Sequence, residues 1–264
     1  MDDVKIGGVT ITKGPTSIKR FTQLLWGPSG SGKTTLACTA PGKKLLINFD
    51  PGGPESVSHM DDVSVLDLAA EGQKLVPSFK NANNPLGLKS IIDEYDTFIF
   101  DSLTNVAHIA LQEAVAQAPK STVEFPGIPG YTLRNTYMVQ FVKNLLALTG
   151  RHNKHCIMIA HEAAPTTNDD GMILHITMSL SGDMPNRASI DFSEVWNLTE
   201  NKKGQQTIMV RPARLKQPCK TRMFGDRGTQ EFVWKFDSDT QEGMKIADWW
   251  EEYTSTGKKI SLPT

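Results

Sequence analysis

The sequence predicts an α/β fold: a mostly parallel central sheet with helices on both faces and antiparallel strands added at its C-terminal side. Three observations predict it. Apolar runs of buried-strand length alternate with helical stretches between residues 21 and 161. A glycine-rich loop joins the first of these strands directly to a helix. The remainder of the chain reads as hairpins rather than crossovers. The 264 residues are 39% apolar and 22% charged, which excludes a disordered or fibrous chain.

The elements follow in order. Lys5 to Thr12 reads as a short polar strand or ribbon, closed by a turn at Gly14-Pro15. Phe21 to Trp26 is a compact strand, and the helix after the glycine loop runs to about Thr39, stopped by Pro41-Gly42. Leu45 to Phe49 is a buried strand ended by Asp50-Pro51-Gly52-Gly53-Pro54, which continues neither strand nor helix. Residues 55–90 are weakly patterned, with a short strand at Val63 to Leu68; Lys89 to Tyr95 closes a helix. Thr97 to Phe100 is the next buried strand, and Leu103 to Ala118 has helical spacing.

Three prolines and two glycines make residues 119–131 a loop. A helix with Tyr137, Met138, Phe141, Val142, Leu145 and Leu146 on one stripe ends at Gly150. Cys156 to Ala160 is a further buried strand ending at His161-Glu162, and Asp169-Asp170-Gly171 is a hairpin turn. Val195 to Thr199, Thr207 to Pro212 and Phe232 to Phe236 are antiparallel strands. The last helix covers Gln241 to Tyr253, with Trp249 and Trp250 in the core, and the tail 258–264 is loose. No linker splits the chain, so one domain is expected: an N-terminal extension over 1–20, a core over 21–240, and a C-terminal helix and tail over 241–264.

Charge and cysteine usage bound the function. Lys plus Arg is 28 against 29 Asp plus Glu, a net −1, which excludes a globally basic nucleic-acid coat. Cys38, Cys156 and Cys219 are scattered, which suits a reducing compartment and excludes a zinc ribbon. No run of 18 apolar residues exists, and the N-terminus lacks an apolar signal core. The expectation is a cytoplasmic protein with no membrane partner.

The strongest motif is Gly27-Pro28-Ser29-Gly30-Ser31-Gly32-Lys33-Thr34, a full GxxxxGK[ST] phosphate loop, with Thr35 following. Glycines let backbone N–H groups curl around phosphate oxygens, and the helix N-terminus adds partial positive charge. Lys33 sits against the β- and γ-phosphates, and the Thr34 hydroxyl ligates Mg²⁺. The metal needs a carboxylate from the end of another buried strand beside the loop; Asp101 is the candidate, with helix capping as its alternative role. ATP and Mg²⁺ are therefore the expected ligands.

The class narrows by elimination. Asn201-Lys202-Lys203-Gly204 and Asn153-Lys154-His155-Cys156 both lack the Asp of a guanine-reading motif. Residues 36–133 contain no arginine, which leaves no arginine-rich kinase lid. Asp101 is followed by Ser102 rather than the Glu usual in AAA+ enzymes.

GPSGSGKTTLA, LLINFDPGG, FIFDSLTN, IMIAHE and MSLSGDMPNRASIDFSEVWNL together resemble the RecA-like ATPase core, more narrowly the phage-encoded RecA-like nucleotide-binding proteins that include the Sak group of single-strand annealing proteins. The resemblance covers roughly residues 21–230. It implies an ATPase that acts on single-stranded DNA in phage recombination or annealing, forms a ring or filament, meets a single-strand-binding protein and works in the host bacterial cytoplasm. It places His161 as a γ-phosphate sensor, with a plain strand-end hydrogen bond as the alternative. It also expects a water-activating Glu where this chain has Gly52, leaving Asp50 or Glu55 to substitute. Two rivals remain: a nucleotide-gated loader with little turnover, and a small-molecule kinase.

Two regions are candidates for DNA or for a neighbouring subunit. Residues 201–235 hold nine basic residues against Asp226 and Glu231, a net of +7. Arg214, Lys216 and Lys220 are its phosphate-contact candidates; Arg222 and Arg227 are candidates to reach a neighbour's nucleotide. Phe125, Tyr131 and Arg134, in the exposed loop 119–134, can stack bases or cover the core.

Overall fold

The computed structural model describes residues 4–6, 9–11, 19–51, 53–71, 79, 81–118, 120–180, 182–213, 215–225, 228 and 230–263. Gly52, Arg214, Asp226 and Arg227 lie outside them, as does the turn expected at Gly14-Pro15. The N-terminal ribbon is a hairpin of β1 (Val4–Ile6) and β2 (Val9–Ile11), with Val4 opposite Ile11.

An eight-stranded sheet organises the rest. Its strands are β3 (Thr22–Gly27), β4 (Lys44–Asn48), β5 (Val63–Asp67), β6 (Thr97–Asp101), β7 (His155–His161), β10 (Glu194–Glu200), β11 (Gln206–Met209) and β12 (Glu231–Val233). Their spatial order is β12-β11-β10-β3-β7-β6-β4-β5. The six strands from β10 to β5 run parallel, and β11 and β12 join antiparallel. This is the mostly parallel α/β class, with antiparallel strands at one edge, expected from the sequence. Among the described residues, three two-stranded sheets lie apart from this one: the N-terminal hairpin, β8 (Thr166–Thr167) with β9 (Ile173–His175), and β13 (Phe236–Asp237) with β14 (Glu242–Gly243).

Helices cover both faces. On one side, α3 (Leu103–Gln117), α4 (Gly127–Arg151) and α5 (Met184–Asp191) bury Leu24, Trp26, Phe98 and Phe100 from the strands. On the other, α1 (Lys33–Ala37) and α6 (Ile246–Thr256) bury Leu25, Leu46, Ile99 and Ile157. Alternate residues of each strand thus feed two cores, so the strands read as continuous apolar runs. A single turn of helix, α2 (Leu68–Glu71), follows β5.

Five expectations need correction. Val195 to Thr199, expected as an antiparallel strand, lies in β10, which runs parallel to β3 and is antiparallel only to β11. Residues 127–134 are helical, because α4 begins at Gly127 rather than after residue 134. Pro129 falls in its first turn, where a missing N–H costs nothing. Lys89 to Tyr95 forms short 3₁₀ turns, Pro85–Ser90 and Ile92–Glu94. The last helix starts at Ile246, not Gln241, because 236–243 form the β13–β14 hairpin. The tail is docked: Ile260 bridges Phe224, its N–H donates to Met223 O (3.0 Å), and Ile260 and Leu262 are buried. Helix α5 had no clear period in its eight residues and was absent from the sequence reading. Cys38, Cys156 and Cys219 are free and buried.

Candidate functional site

Sheet register builds the site. Gly27 pairs with His161, and Asn48 with Asp101, so β3, β4, β6 and β7 end level with one another. The glycine loop leaves β3 at that edge. A Cβ on Gly27 would collide with the Leu198 carbonyl of β10, and one on Gly32 (φ +84°) would press on the Gln206 amide and the Trp234 ring. These glycines therefore fit the loop against its neighbours as well as making room for phosphate.

The cleft above the loop has a volume of about 430 Å³. Ser29, Gly30, Gly32, Lys33, Thr34 and Thr35 line it from the loop and α1; Asp50, Asp101 and His161 line it from the strand ends. Gly27, Pro28 and Ser31 shape the loop from below: Ser31 Oγ and Lys33 Nζ both donate to Pro28 O, at 2.9 and 2.6 Å. Burial lowers the Lys33 pKa, against the opposing pull of Asp101, Asp50 and Glu162.

Asp101 meets the end of the glycine loop from a strand that is not the neighbour of β3. Strand β7 lies between β3 and β6, and the first turn of α1 spans it. Thr34 Oγ1 thereby donates to Asp101 Oδ2 at 2.5 Å. Burial pushes Asp101 up to about 6, helped by Asp50 and opposed by Thr34, Lys33 and His161. Two hard oxygen donors meeting at one side of a phosphate loop fit Mg²⁺, which takes one or two protein oxygens and leaves the others to phosphate and water. Among the described residues, no cluster of three His, Cys, Asp or Glu side chains offers a different kind of metal site.

The Asp50 side chain is held by four hydrogen bonds. Its Oδ2 meets His161 Nε2 at 2.8 Å. Its Oδ1 accepts from Ser102 N (3.1 Å), Ser102 Oγ (2.7 Å) and Asn105 Nδ2 (2.7 Å). Burial raises its pKa, but the bonds from His161, Ser102 and Asn105 outweigh that and hold it below the usual carboxylate range. Glu55 is exposed in the 3₁₀ turn Gly53–Val57 and does not line the cleft; its neighbour Ser56 does.

Two contributors were missed. Gln206, at the start of β11, lines the cleft from the antiparallel strands, and no local pattern announces it. Glu162 sits under the loop: its N–H donates to Gly27 O (2.9 Å) and its carboxylate lies 3.6 Å from Lys216 Nζ. Ser102 and Asn105 were legible as a helix start, Ser102 being the N-cap that accepts from Asn105 N.

A family model described as an AAA domain (AAA_24) matches residues 19–223, which take in the glycine loop, every strand end of the cleft and Glu162. The chain belongs to the AAA domain family. It is a P-loop ATPase, of a class that generally uses ATP with Mg²⁺. Among solved structures it is similar to the crystal structure of the RadB recombinase, at 15% identity and a TM-score of 0.45, over 85% of this chain and 91% of that one. No curated protein matches. Among the described residues, no helix of this ATPase is long and apolar enough to cross a membrane.

The DNA and neighbour candidates are distributed unevenly. Phe125 is 76% exposed, and Tyr131 is exposed with Arg134 over its ring at 4.8 Å. Lys216 instead turns inward to Asn197 Oδ1 (3.0 Å) and Glu162. Lys220 Nζ donates to Ser189 O (2.6 Å) and Phe192 O (2.9 Å), tying down the end of α5. Both were expected to face phosphates, and both are committed to the protein. Arg222 is exposed. Arg214 and Arg227 lie outside the described residues.

Proposed function

We propose that this ATPase binds Mg-ATP in the cleft and uses it on single-stranded DNA, as a DNA-stimulated enzyme of phage recombination or strand annealing. The observation that carries the reading is the antiparallel pair α3 and α4. It is rooted in the cleft, where Ser102 and Asn105 hold Asp50 and the Thr104 hydroxyl accepts from His161 N at 3.0 Å. Phe141 of α4 packs against Phe49 and Phe100 at the strand ends. The helix starts fourteen residues earlier, about 21 Å further out at 1.5 Å per residue. The pair therefore projects past the strand tips and carries Phe125, Tyr131 and Arg134, with Ile128 83% exposed among them. Aromatic faces hold bases at ~1–3 kcal/mol each, and a guanidinium stacked on a ring adds a cation to that platform.

In the cleft, Lys33 and the loop amides hold the β- and γ-phosphates, and Thr34 and Asp101 hold Mg²⁺. When bound, that ion neutralises charge developing on the phosphate oxygens. The sequence resemblance to the Sak group supports self-association into a ring or filament, a single-strand-binding protein as partner and the host cytoplasm as the setting. A loader with little turnover is the second reading, favoured by Gly52 at the expected Glu position.

Single-turnover ATP hydrolysis with and without single-stranded DNA tests the proposal. DNA accelerates hydrolysis if it holds. No DNA binding at ~50 mM salt, where phosphate contacts are little screened, with or without ATP, refutes it.

A further inference from the structure

We propose that Asp50 and His161 form a hydrolytic dyad, in which His161 takes the proton of the water that attacks ATP and Asp50 orients the imidazole. This rests on the ATPase reading of the cleft.

The acids around the loop are otherwise engaged. Asp101 is bonded to Thr34 on the metal side. Glu162 meets Lys216 and accepts from Asn197 Nδ2 at 3.5 Å. Glu55 does not line the cleft. Asp50 has both oxygens occupied, by four donors in all. A carboxylate so saturated is a poor acceptor for another proton.

The imidazole is what remains. An ionised Asp50 only accepts, so His161 Nε2 carries the hydrogen of their 2.8 Å bond. Nδ1 is then the unprotonated nitrogen, with a lone pair to offer. The residue is fixed from both sides: its N–H donates to Thr104 Oγ1 at 3.0 Å, and its carbonyl accepts from Ser179 N at 2.7 Å. Its side chain is 32% exposed, into the cleft. The charged groups that line the cleft with it are Asp50 just beyond β4, Asp101 at the end of β6 and Lys33 of α1; Glu162 follows it in the chain, and Thr104 of α3 bonds its backbone.

In the step, the water oxygen bonds to the γ-phosphorus. The bond from that phosphorus to the β–γ bridging oxygen breaks, and its electron pair leaves with ADP. The water proton goes to Nδ1 and is later released to solvent. The arrangement is a base held by a third group, applied to phosphoryl transfer. It puts a base in the chain although Gly52 stands at the expected Glu position.

His161→Gln separates this role from sensing. An amide still hydrogen-bonds a γ-phosphate but accepts no proton. The expected result is ATP affinity kept within about twofold, with kcat at least ~100-fold lower. Asp50→Asn lowers kcat with ATP affinity kept, and the double variant falls no further than His161→Gln alone, because the two act as a unit. Added imidazole restores turnover to His161→Ala. A fully active His161→Gln, or multiplicative losses in the double variant, overturns the dyad. So does a wild type that binds ATP without hydrolysing it. Lys33→Ala distinguishes the layers: if it keeps ATP binding and turnover, the ATPase reading of the cleft fails; if it is dead while His161→Gln is active, only the dyad fails.

Discussion

The nucleotide cleft and the basic segment 201–235 handle charge in opposite ways. In the cleft, Lys33, Asp50, Asp101 and His161 come from four separate elements and converge on one open volume. In the segment, Lys216 and Lys220 turn inward to Asn197 and to the last carbonyls of α5, and Arg211 donates to Phe224 O at 3.4 Å. A count of charges predicts a surface only where the side chains have no carbonyl or carboxylate of their own to satisfy. Strand ends leave functional groups at an open edge; an irregular segment wrapped on a sheet spends them holding itself in place.

Glycine substitutions give the widest contrast. Gly27→Ala drives a Cβ into the Leu198 backbone carbonyl, which cannot swing aside. A loss of about 3 kcal/mol or more is expected, or ~6–12 °C in Tm. Gly228→Ala, in the basic segment, meets nothing within 4 Å and stays within ~0.5 kcal/mol. Equal melting temperatures for the two variants contradict the packing described for the loop.

Asp101→Asn separates function from stability. Its folded pKa, pushed up to about 6 by burial, lies above the ordinary aspartate value of 3.8, so the folded state binds the proton more tightly. Without nucleotide or metal, that carboxyl stabilises the protein below pH ~4, and the contribution is lost as pH rises through 6. Asn removes the buried charge. Above pH 6 the metal-free variant is therefore more stable, by up to about 3 kcal/mol, while Mg²⁺-dependent hydrolysis falls at least ~100-fold, or ~2.7 kcal/mol. Thermal melts from pH 4 to 8 in chelator, set beside the activity, check both halves.

Lysine replacements probe the segment directly. Lys220→Met loses two charged bonds to carbonyls and costs about 1.5–3 kcal/mol of stability. It leaves the salt dependence of single-stranded DNA binding unchanged. Lys202→Met, at an exposed site, does the reverse: stability holds, and the log–log salt slope flattens by ~0.7 if that lysine meets a phosphate. Denaturant melts and a salt titration distinguish the pair.

Tyr131→Ala is the smallest change. It weakens single-stranded DNA binding by about 1 kcal/mol, or roughly fivefold, with the salt slope kept, since stacking releases no counterions. An unchanged affinity removes the tip of α4 from the interface.

Legibility followed the range of the interactions involved. The glycine loop was readable because one contiguous run of backbone does the work. Asp101 was readable because an apolar strand ending in a carboxylate is a local pattern; the place of β7 between β3 and β6 was not. Gln206 was invisible, since only the pairing of β11 with β10 brings it over Gly32. The start of α4 was misread because Pro129 and two glycines look like a loop unless they fall in a first helical turn.

The sequence by itself determined the alternation of strands and helices, the phosphate loop and the strand-end residues, because each depends on neighbours within a few positions. Tertiary structure decided the strand order, the bond between Asp50 and His161, the inward turn of Lys216 and Lys220, and the docking of Ile260 and Leu262. Those depend on groups far apart in the chain, 111 residues for Asp50 and His161 and 171 for the paired Thr22 and Ser193, and only burial and hydrogen-bond satisfaction across the whole fold select among the partners available.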